Sequence, residues 1–169
     1  MHPSLNQAAL SAFAVLSPHA VAALLADARL LQRAAQAGAA RPLLRGKNLG
    51  LLCADDAAGN DDAALFRRAA TELGAQVAHI RPSLSERSAL PELQSAARML
   101  SRLYDAVECQ CMPTELVQRL RLHADVPVFD GLASPTHPTA CVAELLDTEA
   151  ALADKRRFVL QAVLLCAVG

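Results

Sequence analysis

Apolar and polar residues alternate along the chain in two patterns, one with helical spacing and one typical of short strands. The first helical pattern starts at Ser17-Pro18, a favourable N-cap and first-turn pair, and predicts an amphipathic helix over 18–37. Short apolar runs then predict strands at 48–53, 76–80, 106–111 and 126–129. Helical spacing between and after these runs predicts helices at 63–73, 90–103, 113–123 and 139–152.

Strands of about five residues separated by helices imply βαβ units and therefore a parallel sheet with helices on both faces. We predict an α/β fold, a three-layer αβα domain with a four-stranded parallel sheet, over residues 1–153. Residues 154–169 form a tail with an apolar run that must cover apolar surface. We expect this tail to pack back on the domain or into a subunit interface.

Composition narrows the functional classes. The chain has 53% hydrophobic residues and a net charge of −1, without a basic patch or the aromatic platforms used to bind nucleic acid. It shows neither a signal peptide nor a membrane-length apolar stretch, which predicts a cytoplasmic protein. Its five cysteines lie in apolar contexts, so we expect them to be reduced and buried.

Ligands of parallel α/β sheets usually bind beyond the C-terminal ends of the strands. Three predicted loops lie there, at residues 54–62, 110–113 and 130–138. We therefore expect any chemistry of this chain to be found in these loops.

The same loops belong to an ordered series of short motifs between about residue 16 and residue 153. Through this series the chain resembles the aspartate and ornithine carbamoyltransferase family. The motifs are Leu43-Leu44-Arg45-Gly46-Lys47, Ala97-Arg98-Met99-Leu100-Ser101-Arg102, Tyr104-Asp105-Ala106, Asp125-Val126-Pro127-Val128, Asp130-Gly131-Leu132, His137-Pro138 and Ala143-Glu144-Leu145-Leu146-Asp147.

The resemblance implies the carbamoyl-phosphate-binding half of a two-domain enzyme, a half that also forms trimer contacts in the family. It implies a second domain for the amino acid, beginning about where this chain stops. It also implies that the loop 81–88 reaches a neighbouring subunit, where Ser85 or Arg87 would project. The ligand positions that the family motifs assign here are Gly59, Asn60, Asp61, Asp62, Gln110 and His137.

Most of these positions depart from the family pattern. The phosphate motif Ser-x-Arg-Thr-Arg is replaced by Gly59-Asn60-Asp61-Asp62-Ala63, and a third family arginine by Gln110. Each charge-assisted hydrogen bond is worth about 1.5–3 kcal/mol, so losing three arginines removes on the order of 5–9 kcal/mol. Among the principal contacts only His137 is retained, and we expect carbamoyl phosphate not to bind in the family manner.

Each of the remaining candidates also has a purely structural interpretation. His137 could polarise a carbonyl, or could simply order the loop before Pro138. Asp55, Asp56, Asp61 and Asp62 could collect a cation, but acids capping a helix start are the simpler interpretation.

The strand residues Cys109 and Cys111 lack histidines at zinc spacing, so we interpret them as a buried structural pair. The chain contains no glycine-rich nucleotide motif. We therefore predict neither a metal nor a cofactor.

Three hypotheses follow for function. The first is a catalytically inactive relative of the carbamoyl-phosphate domain that acts structurally or as a regulatory subunit, as a homo-oligomer, possibly a trimer, or with a full-length carbamoyltransferase. The second is a small-molecule-binding protein or enzyme whose cleft takes a changed, cationic or neutral ligand. The third is a carbamoyltransferase completed by a partner chain.

Overall fold

The computed structural model describes residues 16–54 and 60–169. Helices and strands alternate along this part of the chain, as the sequence predicts. In chain order the elements are α1 (Pro18–Gln36), β1 (Asn48–Leu52), α2 (Asp61–Glu72), β2 (Gln76–Ile80), α3 (Leu90–Leu103), β3 (Ala106–Cys109), α4 (Thr114–Arg121), β4 (Val128–Asp130), α5 (Ala140–Glu144) and α6 (Leu152–Val168).

The strands form one parallel sheet with the order β2-β1-β3-β4. β1 lies at the centre, where Leu49 pairs with Val77 of β2 on one side and with Ala106 of β3 on the other. β4 extends the sheet beyond β3, with Val128 opposite Val107. The predicted α/β class with a four-stranded parallel sheet is confirmed, and the C-terminal ends of the strands meet at one edge.

Two apolar cores cover the two faces of the sheet. One combines α1, α2, α5 and α6 with strand residues such as Leu49 and Leu51. The other combines α3 and α4 with Leu52, Val107 and Val128. Because successive strand residues point to opposite faces, β1 and β3 supply both cores. The molecule therefore has the three layers that the sequence predicts.

Helix α6 is buried on nearly all sides, with an unbroken buried run from Arg157 to Leu164. It packs against α1, α2 and α5. The Arg157 guanidinium pairs with Glu72 of α2 and, at 3.1 Å, with Asp154. The side-chain amide of Gln161 donates to Glu72 as well, at 3.0 Å. An apolar helix thus occupies the core, tied to α2 by one partly buried polar network.

The structure corrects several predicted boundaries. The helix predicted over 139–152 is only Ala140–Glu144, and the backbone N–H groups of Leu145 and Leu146 bond three residues back instead of continuing it. The chain then turns at Thr148, whose hydroxyl accepts the backbone N–H of Ala150 at 3.2 Å. The strand predicted over 106–111 ends at Cys109, since Cys111 has a left-handed φ of 54°. The last strand spans 128–130 rather than 126–129.

The interpretation of the cysteines is also partly wrong. Cys53 and Cys109 are buried, whereas Cys111, Cys141 and Cys166 are exposed, and all five thiols are free. Cys109 and Cys111 are not a buried pair, because the turn after β3 carries Cys111 out of the strand and to the surface. Across residues 16–54 and 60–169, no helix combines the length and apolar character needed to cross a bilayer.

Candidate functional site

The site lies where β1, β3 and β4 end, at the edge formed by the start of α2 and the two following loops. The start of α2 and the turn after β3 lie together, since the side-chain amide nitrogen of Asn60 donates to the Cys111 thiol at 3.7 Å. Among the residues predicted for the site, Gly59 lies outside the described residues. The remaining five are found on α2, after β3 and in the loop after β4.

The start of α2 is satisfied by the chain's own groups. Asn60 is the N-cap, and its side-chain oxygen accepts the backbone N–H of Ala63 at 2.7 Å. Asp61 and Asp62 occupy the first turn, where negative charge is stabilised by the helix dipole. These acids therefore act as helix-start residues, and they place negative charge where an anionic ligand would approach.

Gln110 is buried and is used inside the protein. Its amide nitrogen donates to Oε1 of Glu108 at 2.7 Å, and the same oxygen accepts the backbone N–H of Leu132 at 2.8 Å. Glu108 is completely buried, and its second oxygen, Oε2, has no hydrogen-bond partner among the described residues. The pair thus links the end of β3 to the loop after β4.

Burial raises the pKa of Glu108 well above its ordinary value. The hydrogen bonds from Leu132 and Gln110 act in the opposite direction, while the charges of Asp130 and Asp62 raise the pKa further. Glu108 is therefore disposed to be a neutral acid. Sequence reasoning missed this residue, although a charged residue within the buried run Ala106–Cys109 is itself a signal.

His137 is half-buried and locally fixed. The backbone N–H of Thr139 donates to Nδ1 at 3.2 Å, and the Thr139 hydroxyl lies 2.8 Å from the same nitrogen. Nδ1 is thus an acceptor, which leaves the proton of the neutral ring on Nε2. Burial lowers the pKa of His137, the Asp130 charge raises it, and the Arg121 charge lowers it. The ring is a neutral hydrogen-bond donor.

Two charged residues of the site were not singled out from the sequence. The side chain of Asp130, at the end of β4, forms no hydrogen bond or ion pair within the described part of the chain. Arg156 of α6 donates to the backbone oxygen of Ala133, and its Nη2 lies 3.9 Å from Oδ1 of Asp62. Arg156 could not be placed from its sequence position, because the packing of α6 brings it to this edge.

The other proposed features are separate from this edge. The loop 81–88 is held by Arg119 of α4, which donates to the backbone oxygens of Glu86 and Ser88 at 3.0 Å each. Ser85 and Arg87 are exposed on it. Asp55 and Asp56, two of the four acids considered for a cation, lie outside the described residues. Among the residues that are described, no three His, Cys, Asp or Glu side chains are grouped so that they could hold a metal ion.

Comparison with known proteins identifies one family. Residues 9–149 match the model of the aspartate/ornithine carbamoyltransferase carbamoyl-P binding domain. The chain is 37% identical over 119 residues to the catabolic ornithine carbamoyltransferase of Burkholderia mallei, covering 70% of this chain and 35% of the relative. A Haemophilus influenzae ornithine carbamoyltransferase is 37% identical over 118 residues, with the same shares covered. The chain thus spans about a third of these relatives.

Solved structures show the same fold. The ornithine carbamoyltransferase from Pyrococcus furiosus superposes with a TM-score of 0.64 at 23% identity, covering 78% of this chain and 41% of that one. The ornithine carbamoyltransferase from Burkholderia thailandensis gives 0.65 at 18% identity, with 79% and 46% covered.

Proposed function

Since the chain belongs to the aspartate/ornithine carbamoyltransferase family, through its carbamoyl-phosphate-binding domain, we propose that it is a non-catalytic member that acts by associating with other chains. The partner is a further copy of itself or a full-length carbamoyltransferase. In this proposal residues 1–153 form the family domain, and 154–169 complete its core. The single observation that carries it is the charge of the candidate site.

Carbamoyl phosphate is a dianion, and the groups at this edge are of the wrong sign for it. Asp61 and Asp62 stand in the first turn of α2, and Asp130 ends β4 without a cationic partner in the described residues. Arg156 forms an ion pair with Asp62 at this site, and its guanidinium also donates to the backbone oxygen of Ala133. A phosphate group placed there would meet repulsion that a helix N-terminus does not offset.

The neutral donors of the site are committed as well. The Asn60 amide nitrogen donates to the Cys111 thiol and the buried Gln110 amide nitrogen donates to Glu108, so both are already engaged inside the protein. His137 keeps a donor on Nε2, but one neutral imidazole supplies only one hydrogen bond. These contacts support a domain that has kept the family fold and lost the family's anion site.

Association is supported by the outer face of α3. Met99 and Leu103 are 51% and 56% exposed, and their spacing of four residues places them on one side of the helix. Two large exposed apolar side chains on one helix face form a surface suited to a protein partner. The α3 surface, defined by these two residues, lies on the sheet face opposite α6.

Calorimetric titration with carbamoyl phosphate, with molar mass measured by light scattering on the same sample, tests the proposal. We expect no binding heat and a defined oligomer. Leu103→Glu should shift the mass towards monomer, whereas the matched change Leu30→Glu, on α1 of the other layer, should not. Micromolar carbamoyl phosphate binding, or a monomer that also fails to bind a full-length carbamoyltransferase, would overturn the proposal.

A further inference from the structure

A cavity of about 260 Å³ opens between α1, α2 and α6. Its lining includes the last turns of α1, the segment 39–43 that precedes β1, and Leu73, which precedes β2. Phe158 and Gln161 of α6 form its buried wall. Because the strands begin at this edge of the sheet, the cavity lies at the opposite edge from the candidate site.

The wall formed by α6 lies outside the part of the chain that matches the family domain. The match ends at residue 149, whereas α6 begins at Leu152. No ligand position of the family domain is therefore carried over to this cavity, and its chemistry has to be argued from its own residues.

Most of the lining is apolar and partly open to water. Leu30 and Leu43 are 59% and 53% exposed, whereas Leu73 and Phe158 are buried behind them. Small side chains leave the space between them open, namely those of Ala34, Ala35, Ala39 and Ala40. An apolar cavity of about 150 Å³ holds benzene, so this one has room for a phenyl ring that carries a short chain.

Gln161 supplies an unused hydrogen-bond acceptor in the buried wall. The residue is 4% exposed, and its Nε2 donates to the backbone oxygen of Ala69 at 3.3 Å and to Oε2 of Glu72 at 3.0 Å. These two acceptors fix the orientation of the amide, and the remaining atom, Oε1, has no hydrogen-bond partner among the described residues. A buried amide oxygen is costly to leave unpaired, so a ligand that donates to it gains affinity.

Arg41 supplies the unpaired charge of the lining. Its side chain is exposed, and its guanidinium forms no hydrogen bond or ion pair within the described part of the chain. Glu72, the other charged residue of the lining, is already engaged, since Arg68 contacts its Oε1 and Arg157 its Oε2. An anionic group is therefore attracted to Arg41, while two arginines offset the negative charge of Glu72.

We propose that this cavity binds a small aromatic carboxylate that also carries a hydroxyl group, of the hydroxyphenylalkanoate class. The ring packs against Phe158, the hydroxyl donates to Oε1 of Gln161, and the carboxylate pairs with Arg41. Such a ligand contacts α1, α2 and α6 together and so stabilises the docked position of α6. The cavity and the α3 surface lie on opposite faces of the sheet, so this proposal and the proposed association can fail independently.

Calorimetric titration of the full chain with three compounds tests the ligand chemistry. 3-(4-Hydroxyphenyl)propanoate carries all three features, 3-phenylpropanoate lacks the hydroxyl, and 4-ethylphenol lacks the carboxylate. We expect saturable binding of the first compound and about fivefold or more weaker binding of each of the others. Equal affinities for all three compounds, or no binding of the first, would overturn the proposal.

Variants of exposed arginines test the anionic contact. Arg41→Gln should weaken the binding of 3-(4-hydroxyphenyl)propanoate about tenfold and leave that of 4-ethylphenol unchanged, because only the former has a charge to pair. Arg45→Gln is the matched control, since Arg45 is also exposed but does not line the cavity. Equal effects of the two substitutions would contradict the assignment of Arg41.

Filling the cavity tests its location and its occupant. Ala34→Leu should abolish binding, whereas Ala26→Leu on the exposed face of α1 should not. Urea denaturation of both variants checks that the fold is retained, and light scattering records their molar mass. Retained binding in Ala34→Leu would place the ligand elsewhere. A molar mass that changes in Ala34→Leu alone would identify a second copy of the chain as the occupant and overturn the small-molecule assignment.

Discussion

The amide nitrogen of Gln110 lies 2.7 Å from Oε1 of Glu108, and both side chains are buried at the end of β3. The family resemblance assigns an arginine to position 110, so an amide paired with an acid stands where a cation is expected. Because the backbone N–H of Leu132 shares the same acceptor, the pair also holds the loop that carries His137. The residue at position 110 therefore also affects how the loop after β4 is held at this edge of the sheet.

Glu108→Gln should make stability less dependent on pH. The pKa of Glu108 is raised in the folded protein, so its contribution is fully present below the ordinary value of 4.5 and is lost as pH rises through the raised pKa. Over that window the free energy of unfolding of the original protein should fall relative to the variant, by at most about 1.4 kcal/mol per pH unit. Urea denaturation across pH measures this, and Glu115→Gln on exposed α4 is the control.

The pKa of His137 should lie below the ordinary value for histidine. Its pKa is lowered by burial, so protonation in the folded state is disfavoured and stability should decrease as pH falls below the unfolded value. Nitrogen NMR of the ring should show Nδ1 unprotonated and Nε2 protonated at neutral pH. Asp130→Asn should lower the pKa further, because the Asp130 charge raises it; an upward shift would contradict this electrostatic account.

Gly74→Ala should destabilise the protein more than Gly46→Ala. Both glycines have a φ of 85°, which costs an alanine about 1–2 kcal/mol. An added Cβ at Gly74 would lie 2.6 Å from Cβ of Pro42, while at Gly46 it meets nothing within 4 Å. Overpacking should therefore add about 1–3 kcal/mol at Gly74 alone. Chemical denaturation of the two variants separates backbone strain from steric conflict, and equal losses would argue against the contact.

Arg157→Met should reduce the free energy of unfolding by roughly 1–3 kcal/mol. The side chain of Arg157 is 11% exposed, and its removal leaves the Glu72 carboxylate with fewer donors. The expected loss is smaller than for a fully buried ion pair, because the side chain of Glu72 is itself 35% exposed. Methionine keeps the packing of the aliphatic stem, so the change removes the ion pairs together with the contact of the guanidinium with the Phe158 ring, which lies 4.4 Å away.

Arg68→Met is the matched comparison, since Arg68 contacts the same carboxylate at 3.0 Å from a side chain that is 60% exposed. We expect it to cost less than about 1 kcal/mol. A larger loss from Arg68→Met than from Arg157→Met would show that the buried pair does not anchor α6.

Local signals account for the elements that the sequence predicts well. The bounds of β2 and α3 agree with the predicted ranges 76–80 and 90–103. At Ser17 the hydroxyl accepts the Ala20 N–H at 3.2 Å, as expected of an N-cap. These features depend on neighbours in sequence, and they are therefore readable without the fold.

Features that depend on distant packing were missed. The turn after α5 is held to α1, since the Thr148 hydroxyl accepts from the side-chain amide of Gln32. Arg156 reaches the site only because α6 packs across α2 and α5. Burial of Glu108 follows from the central position of β3, and strand order is not visible in a local pattern. The loops of the site were predictable from the parallel sheet, whereas its charge balance was not.

The buried position of α6 sets a condition on how the chain reaches its native state. All four strands precede this helix in the sequence, and its contacts with α1 join segments more than a hundred residues apart. Ribosomal synthesis therefore produces the sheet before the helix that fills one of its two cores. Until α6 docks, the apolar surfaces of α1, α2 and α5 stay open to misassembly and to chaperones, and the large sequence separation of these contacts slows their closure.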